Sequence, residues 1–302
     1  MMRVAPAEFH RSLLAYRQYR YAWWALVLML VSLAIYAWAP EAQPRNGGTW
    51  QGYTLGTVGA LLIVWLLWLG IRKRKYATGS GTLQGWVSAH VYLGAALLLV
   101  ATLHAAFQVG WNLHTLAYGL MVMVILSGFV GLWAYVSLPS QMARNRGNQS
   151  RDDLLAQVGE VDRQCLKLAR QVHPEVSDTV RSAIARTQVG GGLWRQLSGR
   201  DRSAVELPGE GTTSQRLVRN REQRRVVRFL AERLARSPGG QEAIRLQELL
   251  WLFARRKTLL RSVRQDIRLQ GWLRLWLFVH VPLSLALLIA LSAHIFSVFF
   301  YW

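Results

Sequence analysis

The sequence predicts an all-α protein: a polytopic bundle of five membrane-spanning helices with a helical, water-facing insert between the fourth and fifth. Three observations carry that expectation. The chain of 302 residues is 52% hydrophobic and holds 14 tryptophans, yet has 36 Lys and Arg against 16 Asp and Glu. Apolar and charged residues are also segregated, since 14 of the 16 acids fall between Arg151 and Asp266 and only Glu8 and Glu41 lie elsewhere. Finally, five apolar runs are each long enough to cross a hydrocarbon layer about 30 Å thick.

Residues 1–20 form a basic, aromatic segment (Arg3, Arg11, Arg17, Arg20, Tyr16, Tyr19) suited to a cytoplasmic membrane surface. Residues 21–138 hold four spans. The first covers Tyr21 to Trp38 and is stopped by Pro40; Ala37-Trp38-Ala39 resembles a cleavage site, but Pro40 follows it and a long polar stretch precedes the run, so the segment is expected to be retained. A loop with Glu41, Pro44, Arg45 and Gly47-Gly48 follows. The second span covers Tyr53 to Ile71 and stops at Arg72-Lys73-Arg74-Lys75. The third covers Leu83 to Val109, with a short turn at Gly110 to Leu113. The fourth covers Thr115 to Val136, closed by Pro139 and then Arg144 and Arg146.

Residues 139–270 form the insert. Leu154, Val158, Val161, Cys165, Leu168 and Val172 recur at steps of three and four, predicting an amphipathic helix over Asp153 to Val172 with Ser150 as cap and His173-Pro174 as stop. A second helix is expected over Val176 to Thr187, then a loop from Gly190 through Gly211. Helices at Ser214 to Ala235 and Gln241 to Leu269 follow, divided by Ser237-Pro238-Gly239-Gly240, the last running on into span five. Residues 271–302 complete the bundle.

Basic clusters before span one, after spans two and four, and before span five give one topology, with the amino terminus and insert cytoplasmic and the carboxyl terminus outside. The expected location is a bacterial-type inner membrane. The single Cys165 excludes an intrachain disulfide, an iron–sulfur cluster of the chain's own and covalent haem attachment through C-x-x-C-H.

The candidate site lies in two runs, Trp86 to Gln108 and Trp272 to Trp302. Each holds two histidines 14 residues apart, His90 and His104 in the first, His280 and His294 in the second. Fourteen steps of about 100° return to one helix face, roughly 21 Å further along. Spans three and five both run outward, so His90 should face His280 on the cytoplasmic side and His104 should face His294 on the outer side. Intramembrane ionisable groups are costly and functional by default. Two facing pairs of neutral imidazoles make a socket for two non-covalent haems b, and two ligands per iron leave no open position, which favours electron transfer. A proton relay or metal-transport site is the rival, although neither span contains Asp, Glu or Cys. A third reading makes the chain an anchor for a basic interaction module; the interleaved acids of the insert argue against a nucleic-acid partner.

Supporting residues are Gly94, one turn from His90, and Gly128 and Gly131 on span four, where a missing side chain would admit a porphyrin; helix packing explains each as well. Arg274, with Arg72 to Lys75, could neutralise haem propionates, though topology accounts for these charges too. Pro282 should kink span five. His114 is read as an interfacial, water-facing residue with a propionate or quinone partner as the alternative, and His10 and His173 as solvated. Trp23, Trp24, Trp38, Trp65, Trp68 and Trp86 are read as interface anchors.

The segment Gly85-Trp86 through His90-Val91-Tyr92-Leu93-Gly94 to Leu103-His104, with His280 and His294, resembles the ferric-reductase-like transmembrane domain, a family of di-haem b-type cytochromes. Gly56 with Gly59-Ala60-Leu61-Leu62 running into Arg72-Lys73-Arg74 is similar to that domain's preceding helix. The resemblance covers Thr54 to Val136 and Trp272 to Trp302. It implies two haems b held by those four histidines and transmembrane electron transfer. More distantly, the layout is similar to cytochrome b subunits of respiratory complexes, which leaves room for quinone. The chain departs from the family in lacking a flavin- and nucleotide-binding module and in carrying the basic insert. The expectation is therefore the electron-transfer subunit of an oxidoreductase complex and not a self-contained enzyme. Expected partners are membrane lipid and either a cytoplasmic flavo- or iron–sulfur protein or a periplasmic multihaem cytochrome, with no nucleic acid.

Overall fold

The computed structural model describes residues 14–38, 46–72, 82–147, 149–209 and 215–300. Arg3, His10, Arg11, Pro40, Glu41, Pro44, Arg45, Lys73 to Lys75 and Trp302 therefore lie outside the described residues. The chain divides into two compact units. One takes the chain through Ser137 together with Leu273 onward; the other is Leu138–Trp272.

The first unit is all helix among the described residues. Helices α1 (Arg20–Ala37), α2 (Trp50–Arg72) and α3 (Leu83–His104) are followed by α4 (Leu113–Arg146), whose first part belongs here, as does the end of α9 (Gly240–Phe300). All five are long and apolar enough to cross a membrane, as a multi-pass membrane protein requires. A helix is the natural solution there because every interior N–H and C=O is satisfied within the segment. Helix α3 is the one on which both α1 and α2 pack. Its buried positions include Ser88, Ala89 and Ala96, small side chains that let helices approach closely, alongside Leu97 and Val100.

Helix α3 starts on Thr82, whose hydroxyl accepts the Gly85 N–H, and it ends five residues before the predicted boundary. Ala106 and Phe107 both adopt left-handed backbone angles (φ 47° and 60°), which turn the chain off the helix axis and leave His104 as the last helical residue. Pro139, expected to close span four, instead lies inside α4. A proline costs the ladder one donor and crowds the carbonyl four residues back; the helix nonetheless continues past it to its basic end, Arg144 and Arg146. Pro282 is likewise accommodated inside α9.

The second unit buries a conventional apolar core. Helix α5 (Arg151–Ala169) is capped by Ser150 in a reciprocal capping box with Asp153, and α6 (Pro174–Ala185) begins with Pro174 as its first residue after His173. Val161, Cys165, Val176, Val180, Leu230, Leu246, Leu249 and Phe253 are among the fully enclosed side chains. Two predictions fail here. The expected loop after Gly190 contains a short helix, α7 (Leu193–Ser198), and a strand, β1 (Ala204–Pro208). The expected helix from Ser214 instead opens with strand β2 (Gln215–Arg219), antiparallel to β1 with Ala204 opposite Arg219 and Pro208 opposite Gln215. Glu222 and Gln223 then adopt left-handed angles before α8 (Arg224–Arg236) begins. The amphipathic period from Arg224 is genuine, but the hairpin claims the residues before it.

Three carboxylates of this unit, Asp162, Asp201 and Asp266, are held by arginines. Arg256, only 1% exposed, pairs with Asp162 and donates to the Thr187 hydroxyl. Asp266, fully buried, is held by Arg146 at 2.9 Å and Arg151 at 2.8 Å. Arg264 pairs with Asp201 at 2.8 Å.

Candidate functional site

The histidines of α3 and α9 meet in two tiers. At the first tier, His90 lies near His280 and by the Leu66 carbonyl. The His90 Nδ1 is buried without a hydrogen-bond partner among the described residues. His280 is more tightly positioned: its Nδ1 is 2.7 Å from the Ser127 hydroxyl of α4, and the Trp276 indole stacks on its ring at 5.3 Å. Trp276 is one turn before His280, and its indole N–H donates to the Ser127 carbonyl at 2.8 Å. The indole fills the space a side chain would take at Gly131, where a Cβ would come within 2.0 Å of it. Gly131 thus makes room for Trp276, not for the porphyrin expected from the sequence. Gly128 faces the His280 ring, 3.8 Å from a Cβ placed there, and Gly94 is open, with only the Leu66 side chain at 3.9 Å.

At the second tier, His104 and His294 stand with ring centres 6.2 Å apart. The His104 Nδ1 lies 2.8 Å from the Gly52 carbonyl of α2. That contact exists because Gly56, one turn on, has no side chain: a Cβ there would sit 2.7 Å from the His104 ring. If Nδ1 carries the proton it gives to Gly52, the Nε2 lone pair is free to bind metal, and the carbonyl fixes ring and tautomer together. The Ser127 hydroxyl gives its one proton to the Val124 carbonyl and so accepts from His280 Nδ1–H, which fixes that ring similarly.

His114, read from the sequence as facing water, belongs to this tier. Its ring centre is 5.2 Å from that of His104 and 5.0 Å from that of His294. One ring nitrogen from each of the three lies within 4.8 Å of the others. Nothing in the 14-residue spacing could reveal this, because His114 sits in the first turn of another helix. No sequence signal marks it: the turn from Ala105 to Asn112 folds the start of α4 back beside His104.

The other candidates stand apart. Arg274 is exposed, with no carboxylate partner among the described residues. The His173 Nδ1 accepts the Glu175 N–H at 3.4 Å as the cap of α6. Trp65 and Trp86 stack on each other at 5.3 Å, whereas Trp23, Trp24, Trp38 and Trp68 are exposed. Ser127, Trp276, Gly52 and Gly56 were missed as members of the site, since each acts by holding a histidine and offers no ligand atom of its own.

The donor set suits iron: paired imidazoles with no competing carboxylate or thiolate among the grouped residues. With a metal–nitrogen distance of about 2 Å, two rings on opposite sides of one ion stand roughly 6 Å apart, which matches His104 and His294. The flank is tighter. From the three separations, the His114 ring lies roughly 4 Å from the midpoint of the other two, on ground a porphyrin ring would cover, so a haem at this tier requires His114 to swing aside.

Fold and site together define a class: a multi-pass helical membrane protein whose interior holds histidines in two tiers. No family model, curated protein or solved structure matches the chain.

Proposed function

We propose that this protein conducts electrons across the membrane by means of two haem b groups, one held by His90 and His280 and the other by His104 and His294. The observation carrying this reading is the tiered pairing of α3 and α9 histidines, with His104 and His280 each fixed through Nδ1 so that Nε2 is left for a ligand. Haem iron supplies one-electron chemistry, and two imidazoles per iron favour electron transfer over ligand binding. The protein's part is to orient the imidazoles through Gly52 and Ser127, keep them from water, and leave Gly94 and Gly128 open beside them. The basic clusters support a topology with the amino terminus and the insert cytoplasmic and the carboxyl terminus outside, in a bacterial-type inner membrane on this reading. Donor and acceptor are then separate components: a cytoplasmic flavo- or iron–sulfur protein, a periplasmic multihaem cytochrome, or quinone.

The test is spectral. Purified protein is expected to show a b-type reduced-minus-oxidised spectrum with two haems per chain. His90→Ala and His104→Ala are each expected to remove one haem, from different tiers. Protein that stays colourless after expression with added haem overturns the reading.

The three-histidine cluster favours a second reading, a site for a transition-metal ion in a transporter. Three imidazoles around a four-coordinate ion stand roughly 5 Å apart, close to the separations about His114. His114→Ala separates the two readings. Haem content unchanged or raised supports the first, whereas haem-free protein that loses zinc or copper binding supports the second.

A further inference from the structure

Within the unit Leu138–Trp272, helix α7 packs against α9 just before α9 turns apolar. A Cβ at Gly271 would lie 3.4 Å from the Gln196 side chain and 3.5 Å from that of Leu197, so the glycine is what admits α7 so close. Gly199 meets Arg268 in the same way at 3.5 Å. Three residues past Gly271, Arg274 is the last charged side chain of α9, and the long apolar stretch begins at Leu275. Residues on α7 are thereby tied to the last turn of α9 before its apolar stretch in the sequence.

What α7 and its flanks present at that level is a lipid-facing chemistry. Trp194 is 79% exposed, more than any other large apolar side chain described in this unit. A shallow pocket beside it is lined by Arg195, Arg200, Arg202 and Arg264, with Gly190 and Ile267. Arg264 is committed to Asp201. Arg195, Arg200, Arg202 and the neighbouring Arg268 are exposed and have no carboxylate partner among the described residues. The left-handed Gly191 (φ 126°) lets the Arg195 stem fold back over the chain, where a Cβ would come within 2.8 Å of it. An exposed indole beside unpaired guanidinium groups is the combination that seats in an interface, the ring at headgroup depth and the cations on phosphate.

We infer that the Trp194–Arg202 segment is a docking site for the headgroups of anionic phospholipid, with Arg195, Arg200 and Arg202 binding phosphate and Trp194 inserted between lipids. The occupant is lipid because the indole has no role toward a free anion, and because the site is anchored to α9 beside its apolar entry.

Full-length protein in nanodiscs tests this by limited trypsin cleavage, read at Arg195 and, as a control remote in sequence, at Arg236. In discs with about 30% phosphatidylglycerol, cleavage at Arg195 is expected to slow at least about tenfold relative to pure phosphatidylcholine, while cleavage at Arg236 is unchanged. The double substitution Arg200→Gln and Arg202→Gln, and separately Trp194→Ala, are expected to abolish that lipid dependence without altering Arg236. Equal cleavage at Arg195 in both lipids overturns the inference. So does equal protection by inorganic phosphate in phosphatidylcholine discs, which would make the site one for free anion. Haem content does not enter either readout.

Discussion

The two units of this chain solve opposite solvation problems, and both do so mainly with helices. Leu138–Trp272 is built on an enclosed apolar core, in which Leu230, Leu246, Leu249 and Phe253 have no exposure. In the other unit the sense is inverted. Trp23, Leu61 and Ile289 are 64%, 66% and 71% exposed, while Ser32, Gln51 and Ser88 are buried. One unit is driven together by expelling water from apolar surface. The other has no such force to use once its exterior is lipid, and depends on small-residue packing and interior polar contacts. The histidines belong to the second kind of interior, where a polar ring is held by its hydrogen bonds to Gly52 and Ser127 and not by exclusion from water.

The comparison breaks most sharply at charges. Asp162→Ala is expected to destabilise the water-facing unit by about 3–5 kcal/mol, because it leaves the enclosed Arg256 without its carboxylate. The denaturant midpoint of the full chain in detergent, followed by circular dichroism, measures it. Apolar truncations come next and should differ by unit. Leu230→Ala is expected to cost about 2–5 kcal/mol through cavity and transfer terms, whereas Ile289→Ala is expected to stay within about 0.5 kcal/mol. Equal costs at the two positions would show that Ile289 is packed and does not face solvent or lipid.

Inside the membrane unit, Gly56→Ala drives a methyl group into the His104 ring and is expected to cost about 1–3 kcal/mol. On the proposed function it also weakens haem retention at the second tier while sparing the first, a split that haem quantitation can read. A further modest effect is expected at the start of α5, where Ser150→Ala should cost about 1 kcal/mol. Hydrogen bonds from the Ser150 hydroxyl and N–H hold the Asp153 carboxyl below the usual carboxylate range. A depressed folded-state value means the contribution is complete above the ordinary value of about 3.9 and disappears as pH falls through the lower folded one. The stability gap between wild type and Ser150→Ala is therefore expected to be flat from pH 7 to 5 and to narrow only below about pH 4.

The spans were legible because membrane helices announce themselves by composition: some twenty apolar residues without charge have few other uses. The α5 cap was legible for a local reason, Ser150 standing three residues before Asp153. What escaped were features set by tertiary context. The β1–β2 pair is written in short strings, Ala-Val-Glu-Leu-Pro and Gln-Arg-Leu-Val-Arg, whose alternation is too brief to compete with the helical period that starts at Arg224. The end of α3 at His104 depends on two non-glycine residues in left-handed geometry, which no propensity favours. At the site, the four spaced histidines could be read from one helix at a time. His114 could not, since its place depends on how the connection after Ala105 closes.

Cys165 gives the molecule a further, practical property. It is the chain's one thiol, it is fully enclosed, and burial pushes it up to about 12. At neutral pH it therefore presents almost no thiolate to an electrophile or an oxidant. The polypeptide is chemically silent toward maleimides as nature made it, so a cysteine introduced at Asn112 or at Gly239 would report its own side of the bilayer to an impermeant reagent against a blank background.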